Sequence, residues 1–138
     1  MIAADSNVII AAVSKWSSNH VAAVAAINQA LANQQLILPQ HALLESYSVL
    51  VRMPPPYQLR SEVAFALLHE TFGSVRLVNL APRSTWQFLR DRDDMTSRRL
   101  YDASIATAAI EAGAKILLTF NARDFRSFAG RIEIVVPA

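Results

Sequence analysis

The chain alternates between short apolar runs and longer segments whose apolar residues recur every three or four positions. It opens with a strand candidate, Met1 to Ala4, and an apolar stretch from Val8 to Val13. In "HVAAVAAINQALANQ" the residues Val21, Val24, Ile27 and Leu31 fall at helical spacing, and "LIL" (36–38) reads as a buried strand closed by Pro39. Leu43, Leu44, Tyr47, Leu50 and Val51 repeat the helical period in "HALLESYSVLVR". That helix stops at "MPPP", because a proline disfavours helix in the residue before it. "QLRSEVAFALLHETFG" predicts a further amphipathic helix with Gly73 as its C-cap.

The second half continues the alternation. "VRLVNL" predicts a strand, "RSTWQFLRDRDD" a polar-faced helix, and "TSRR" a loop. A helix then runs from Asp102 to Ala112, with Gly113 as a stop. "KILLTF" predicts a buried strand, "NARDFRSF" a short helix or turn, and "IEIVV" a last strand. Strands alternating with helices argue for an α/β domain with a mainly parallel sheet. No repeat or interdomain linker breaks the 138 residues, so the prediction is one domain over 1–138.

Composition narrows the class. Hydrophobic residues form 53% of the chain, too many for disorder. No apolar run approaches the ~20 residues a bilayer crossing needs, and a carboxylate stands at Asp5 where a secretory leader would be basic or apolar. The expectation is a cytoplasmic protein without a membrane partner. Absence of cysteine excludes disulfides and thiolate metal ligands. Eleven of the 13 basic residues are arginine, whose planar fork suits phosphate, so the bias leans toward nucleic acid.

Four of the 11 acids are out of place. Glu62, Glu70, Asp91, Asp93, Asp94 and Glu111 lie in polar or charged surroundings, and Glu133 alternates with Ile132 and Ile134 as on the wet face of an edge strand. Asp5, Glu45, Asp102 and Asp124 are instead embedded in apolar sequence, where a lone carboxylate is costly to bury. Each has a plain structural explanation: Asp5 and Asp102 as helix N-caps, Glu45 at the edge of an apolar face, Asp124 as a turn residue. Ligands of parallel α/β sheets, however, bind outside the carboxyl ends of strands, and Asp5 and Asp124 both follow strand candidates. Acids converging there would need a cation, and oxygen ligands suit Mg²⁺ or Mn²⁺. Ser6, Asn7, Thr119 and Asn121 place short polar groups beside the same strand ends. His20, His41 and His69 form no motif; His41, four residues before Glu45, is the one near the site by spacing.

"MIAADSNVII", "LLESYSVLVRMPPP" and "RLYDASIATAAIEAGAKILLTFNARDF" together resemble the ordered acidic motifs of PIN-domain ribonucleases, most closely the VapC-type toxins of bacterial toxin–antitoxin pairs. The resemblance implies a PIN-like α/β/α sandwich around a parallel sheet and assigns metal-site carboxylates to Asp5, Glu45 and Asp102. Either Asn121 or Asp124 would complete the set. It implies Mg²⁺- or Mn²⁺-dependent hydrolysis of RNA, with Arg98, Arg99 and Arg123 as phosphate contacts. With four acids neutralised, the other charges would leave an excess of six basic groups. It also implies a homodimer and a small antitoxin partner, with the helices at 40–52 and 59–72 as a hairpin for either contact. Two other readings remain: a housekeeping RNA-processing or DNA nuclease of the same fold, and a catalytically silent interaction module.

Overall fold

The computed structural model describes residues 1–92 and 97–138, with the side chains of 97 and 98 outside the description. Expectations that fall outside it are the end of the helix at 83–94, the solvated Asp93 and Asp94, the start of the "TSRR" loop, and the Arg98 contact. Five strands form one parallel sheet: β1 Ile2–Ala4, β2 Leu36–Pro39, β3 Arg76–Val78, β4 Ile116–Leu118 and β5 Glu133–Val135, in the order β3-β2-β1-β4-β5. Helices flank it: α1 Ser6–Val13, α2 His20–Ala32, α3 Gln40–Arg52, α4 Ser61–Phe72, α5 Thr85–Arg90 and α6 Ser97–Glu111. This is the expected α/β/α arrangement.

Burial explains the strand order. β1, β2 and β4 carry Ala3, Ala4, Ile37, Leu38 and Leu117 with no exposed surface, as strands covered on both faces must. β3 and β5 sit at the edges, where Arg76, Leu77 and Glu133 reach solvent. The chain steps from β1 outward to β2 and β3, then crosses back to β4 on the other side of β1. Strand order therefore reverses between β1 and β4, and a crevice opens at their carboxyl ends.

Two expectations about helices change. α6 is already helical at Ser97, so "TSRR" does not extend as a loop to Arg99 and Asp102 lies inside the helix. It does not start the helix. Arginine and leucine are strong helix formers, and no glycine or proline intervenes between Ser97 and Asp102, so polarity alone does not delay the helix. The expected helix from Arg83 divides into a 3₁₀ turn over Pro82–Ser84 and α5, which ends at Arg90 with Asp91 as its cap. "NARDFRSF" resolves as a 3₁₀ segment, Ala122–Phe128, that packs on α6. Both helix-ending glycines serve, for different reasons. Gly113 has φ +87°, a left-handed conformation in which glycine has no steric cost. Gly73 is right-handed with φ −61°, but an added Cβ would lie 2.5 Å from the His69 carbonyl oxygen. Among the described residues no helix is long and apolar enough to cross a membrane.

Candidate active site

Asp5 and Thr119 are the first residues beyond β1 and β4, and the pairing of Ala4 with Leu118 sets them side by side. The Asp5 N–H still donates to the Leu118 carbonyl at 2.9 Å, so the sheet fixes the backbone that carries the acid. Asp5 also caps α1: its Oδ1 accepts from the Ser6 N–H at 2.7 Å. Its Oδ2 accepts from the Thr119 hydroxyl at 2.8 Å. Oδ2 thus has one donor and keeps lone-pair capacity for another ligand.

The Thr119 hydroxyl is saturated. It donates to Asp5 and accepts from Asn7 Nδ2 at 3.3 Å and from the Asn121 N–H at 3.0 Å. Asn7 in turn accepts from the Phe120 N–H at 3.1 Å, which ties the first turn of α1 to the end of β4. The polar residues singled out beside the strand ends form this clamp.

Glu45 arrives from α3. Ala42, Ser46 and Leu50 form the buried face of that helix, and Ser46 is small enough to let α3 approach α1 closely. Its hydroxyl donates to the Ala42 carbonyl at 2.7 Å and lies 3.4 Å from the Ser6 carbonyl. Glu45, beside this face and half-buried, accepts a hydrogen bond from the Ser6 hydroxyl, which also lies 3.5 Å from Asp5 Oδ1. One hydroxyl therefore stands between two carboxylates.

The electrostatics follow from that crowding. Burial pushes the Asp5 carboxyl up from 3.8 to about 6; hydrogen bonds from Thr119 and the Ser6 N–H oppose the rise, and the negative charge of Glu45 adds to it. The pocket favours a positive charge, and its donors are all hard oxygens, a set that fits Mg²⁺ or Mn²⁺ and suits no soft metal.

The other predicted residues lie nearby in different settings. Asp102 is half-buried on α6, which packs against α3 and β2. Tyr101 stacks on His41 of α3 with ring centroids 4.5 Å apart, so the turn that carries Asp102 lies beside the turn preceding Glu45. Asn121 follows the strand end directly; its backbone belongs to the Thr119 clamp and its side chain is exposed. Asp124 is half-buried in a hollow shared with Arg99, Ala103, Arg123 and Arg126, outside the hydrogen-bonded network of Asp5. Among the described residues, no three acidic or histidine side chains gather closely enough to hold one ion in common, while the charge of Glu45 reaches Asp5. Sequence reasoning did not find Arg126 or the Tyr101–His41 stack. Arg126 lies three positions beyond Arg123, a spacing that was open to view.

A parallel α/β/α domain with paired carboxylates at its switch point defines a class of acid-bearing pocket proteins. The particular family follows from sequence: residues 2–131 match the PIN domain, and the chain belongs to the PIN-domain family. It is 35% identical over 129 residues to Ribonuclease VapC40 of Mycobacterium tuberculosis, covering 92% of this chain and 89% of that one. Ribonuclease VapC27 of the same species is 35% identical over 127 residues, covering 88% and 85%. The fold resembles the crystal structure of VapBC2 from Rickettsia felis bound to a promoter DNA fragment, with a TM-score of 0.68 at 16% identity over all of both chains.

Proposed function

We propose that this chain is a metal-dependent endoribonuclease that acts in the cytoplasm as the toxin of a toxin–antitoxin pair. The observation that carries the reading is the buried Asp5, held at the sheet's switch point against Glu45 with only the Ser6 hydroxyl between them. Relatives that span nine-tenths of the chain and are named ribonucleases support the substrate class.

Asp5 and Glu45 would hold the cation, with Asp102 from α6 and either Asn121 or Asp124 completing the oxygen set. A bound divalent ion supplies Lewis acidity, which lowers the pKa of water and stabilises charge on the attacked phosphate. The protein's own groups do the positioning. Thr119 and the Ser6 N–H fix the two oxygens of Asp5, Ser6 orients Glu45, and Asn7 locks the end of β4 against α1. Arg98, Arg99 and Arg123 would neutralise the phosphates that flank the scissile bond.

A hollow of about 290 Å³ between α3, α4 and β3 supports the partner expectation. Leu43, Leu44, Tyr47, Phe65, Leu68 and Leu77 line it, and Leu44 and Phe65 are 58% and 60% exposed. Exposed apolar surface of this kind favours a covering chain, whether a second copy or an antitoxin.

Incubating the purified chain with tRNA and rRNA tests the assignment. Cleavage is expected with Mg²⁺ or Mn²⁺ and not with EDTA, and Asp5→Asn should reduce it by at least about 100-fold. Undiminished cleavage by the variant, or by the parent in EDTA, would refute the assignment to this pocket.

A further inference from the structure

One face of α6 borders two hollows. Arg99 and Ala103 line the first, opposite Arg123, Asp124, Arg126 and Phe128. Thr107, Ile110 and Glu111 line the second, a space of about 470 Å³ that also takes in Arg92 and Arg131. Positions 99, 103, 107 and 110 share a helix face, so the hollows lie end to end along about 18 Å of α6. Phe128 separates them: it walls the first and supports the two arginines of the second.

Those two arginines are held in an unusual way. The Arg92 guanidinium lies between two rings, 4.9 Å from the centre of Phe88 and 5.8 Å from that of Phe128. The Arg131 guanidinium lies 5.2 Å from the same Phe128 ring. Two cations therefore share one aromatic platform, and among the described residues neither forms an ion pair with a carboxylate. Arg92 Nε is buried and has no hydrogen-bond acceptor, so among the described residues nothing inside the fold neutralises this half-buried cation.

The acids of the same hollow are already engaged. Asp91 accepts from Gln87 Nε2 at 2.9 Å. Glu111 accepts from the Ser84 hydroxyl at 2.6 Å and the Ala81 N–H at 3.0 Å. Burial alone would raise the Glu111 carboxyl, but these bonds and the charge of Arg83 hold it below its ordinary value. An arginine stacked on a ring keeps its in-plane N–H fork open, the geometry that matches a phosphate.

We propose that Arg92 and Arg131 form a second phosphate site that holds the backbone of the RNA substrate beyond the cleaved bond. It rests on the nuclease reading, and α6 borders both this hollow and the one that holds Arg99 and Arg123. An RNA long enough to reach both hollows gains contacts that a short fragment lacks.

Fluorescence anisotropy of a labelled single-stranded RNA of about 20 nucleotides, in EDTA to stop cleavage, tests this across a salt series. Each phosphate contact on a single strand contributes about 0.7 to the slope of log K against log salt. Arg131→Gln, an exposed position, should lower the slope by about 0.7, and Arg92→Gln/Arg131→Gln by about 1.4. The charge-matched Arg52→Gln/Arg60→Gln should leave it unchanged. A slope unmoved by Arg131→Gln, or lowered equally by the charge-matched pair, would overturn the second site while the nuclease reading stands. A parent chain that binds no RNA in EDTA would overturn the second site; one that binds RNA but leaves it intact when Mg²⁺ is restored would overturn the nuclease reading.

Discussion

Asp5 is expected to destabilise the cation-free protein, so replacing it should make the fold more stable. Its carboxyl titrates at about 6 in the folded chain against 3.8 for an ordinary aspartate. Between those values the folded protein keeps a proton that the unfolded chain has released, so stability falls as pH rises through the window. Above pH 6 both states are ionised and the full difference persists; below 3.8 both are protonated and it vanishes. At 1.36 kcal/mol per pH unit, the difference amounts to about 3 kcal/mol at pH 8. Asp5→Asn removes the charge and keeps the acceptor for the Ser6 N–H, so the α1 cap survives.

The amide introduces one penalty. Its nitrogen faces the Thr119 hydroxyl, whose two acceptor positions are already filled by Asn7 and the Asn121 N–H. A lost hydrogen bond there costs about 1 kcal/mol, which leaves a net gain of about 2 kcal/mol at pH 8. For a domain of this size that raises the melting midpoint by roughly 7 °C. Below pH 3.8 the charge term is absent, so the variant should be level with the parent or slightly less stable. Thermal melts in EDTA at pH 3.5, 5 and 8 read the difference directly. Adding Mg²⁺ at pH 8 should then stabilise the parent alone, by about 2.7 kcal/mol at a hundredfold excess over the dissociation constant. A variant no more stable than the parent at pH 8, or a difference that ignores pH, would refute the account of Asp5 as a carboxylate destabilised chiefly by burial.

Two further outcomes follow from the same geometry. Thr119→Val removes the donor that lowers the Asp5 pKa and the acceptor for Asn7 and the Asn121 N–H. The Asp5 carboxyl should then titrate above 6, and the fold should lose about 1–3 kcal/mol; carbon-detected NMR of the carboxyl checks the first and urea unfolding the second, and an unmoved titration counts against the clamp. Gly73→Ala should lower the melting midpoint by at least about 3 °C, because its Cβ would sit 2.5 Å from the His69 carbonyl oxygen and 2.9 Å from the His69 ring. Gly130→Ala, with nothing within 4 Å of the added carbon, is the control that should not move.

Hydrophobic pattern located the interior of the fold because its central strands are buried on both faces and read as apolar runs. "LIL" and "KILLT" needed no tertiary information to be recognised. The edges were harder. "VRLVNL" contributes only Arg76–Val78 to the sheet, since a strand paired on one side loses its ladder where the chain turns away. Helix starts were harder still. Asp102 has the chemistry of an N-cap, and the arginines before it look like a solvated loop, yet the helix extends through them from Ser97. Residue preference at a single position is a weak signal of about 1 kcal/mol, and several good helix formers in succession outweigh it.

The candidate site divides along the same line. Asp5 and Thr119 were visible because a polar residue placed where an apolar strand ends has few reasons to be there. What sequence does not encode locally is who meets whom: the Ser6–Glu45 bond spans 39 positions and the Thr119–Asp5 bond 114. Parallel register supplies the second and close approach of α3 through Ser46 supplies the first. Asp102 shows why this distinction matters. Inside the helix its carboxylate is not the residue that caps α6. The stack of Tyr101 on His41 brings that stretch of helix to α3, where Glu45 is already crowded against Asp5. Two carboxylates crowded in this way repel each other, and a cation bound between them would relieve the repulsion.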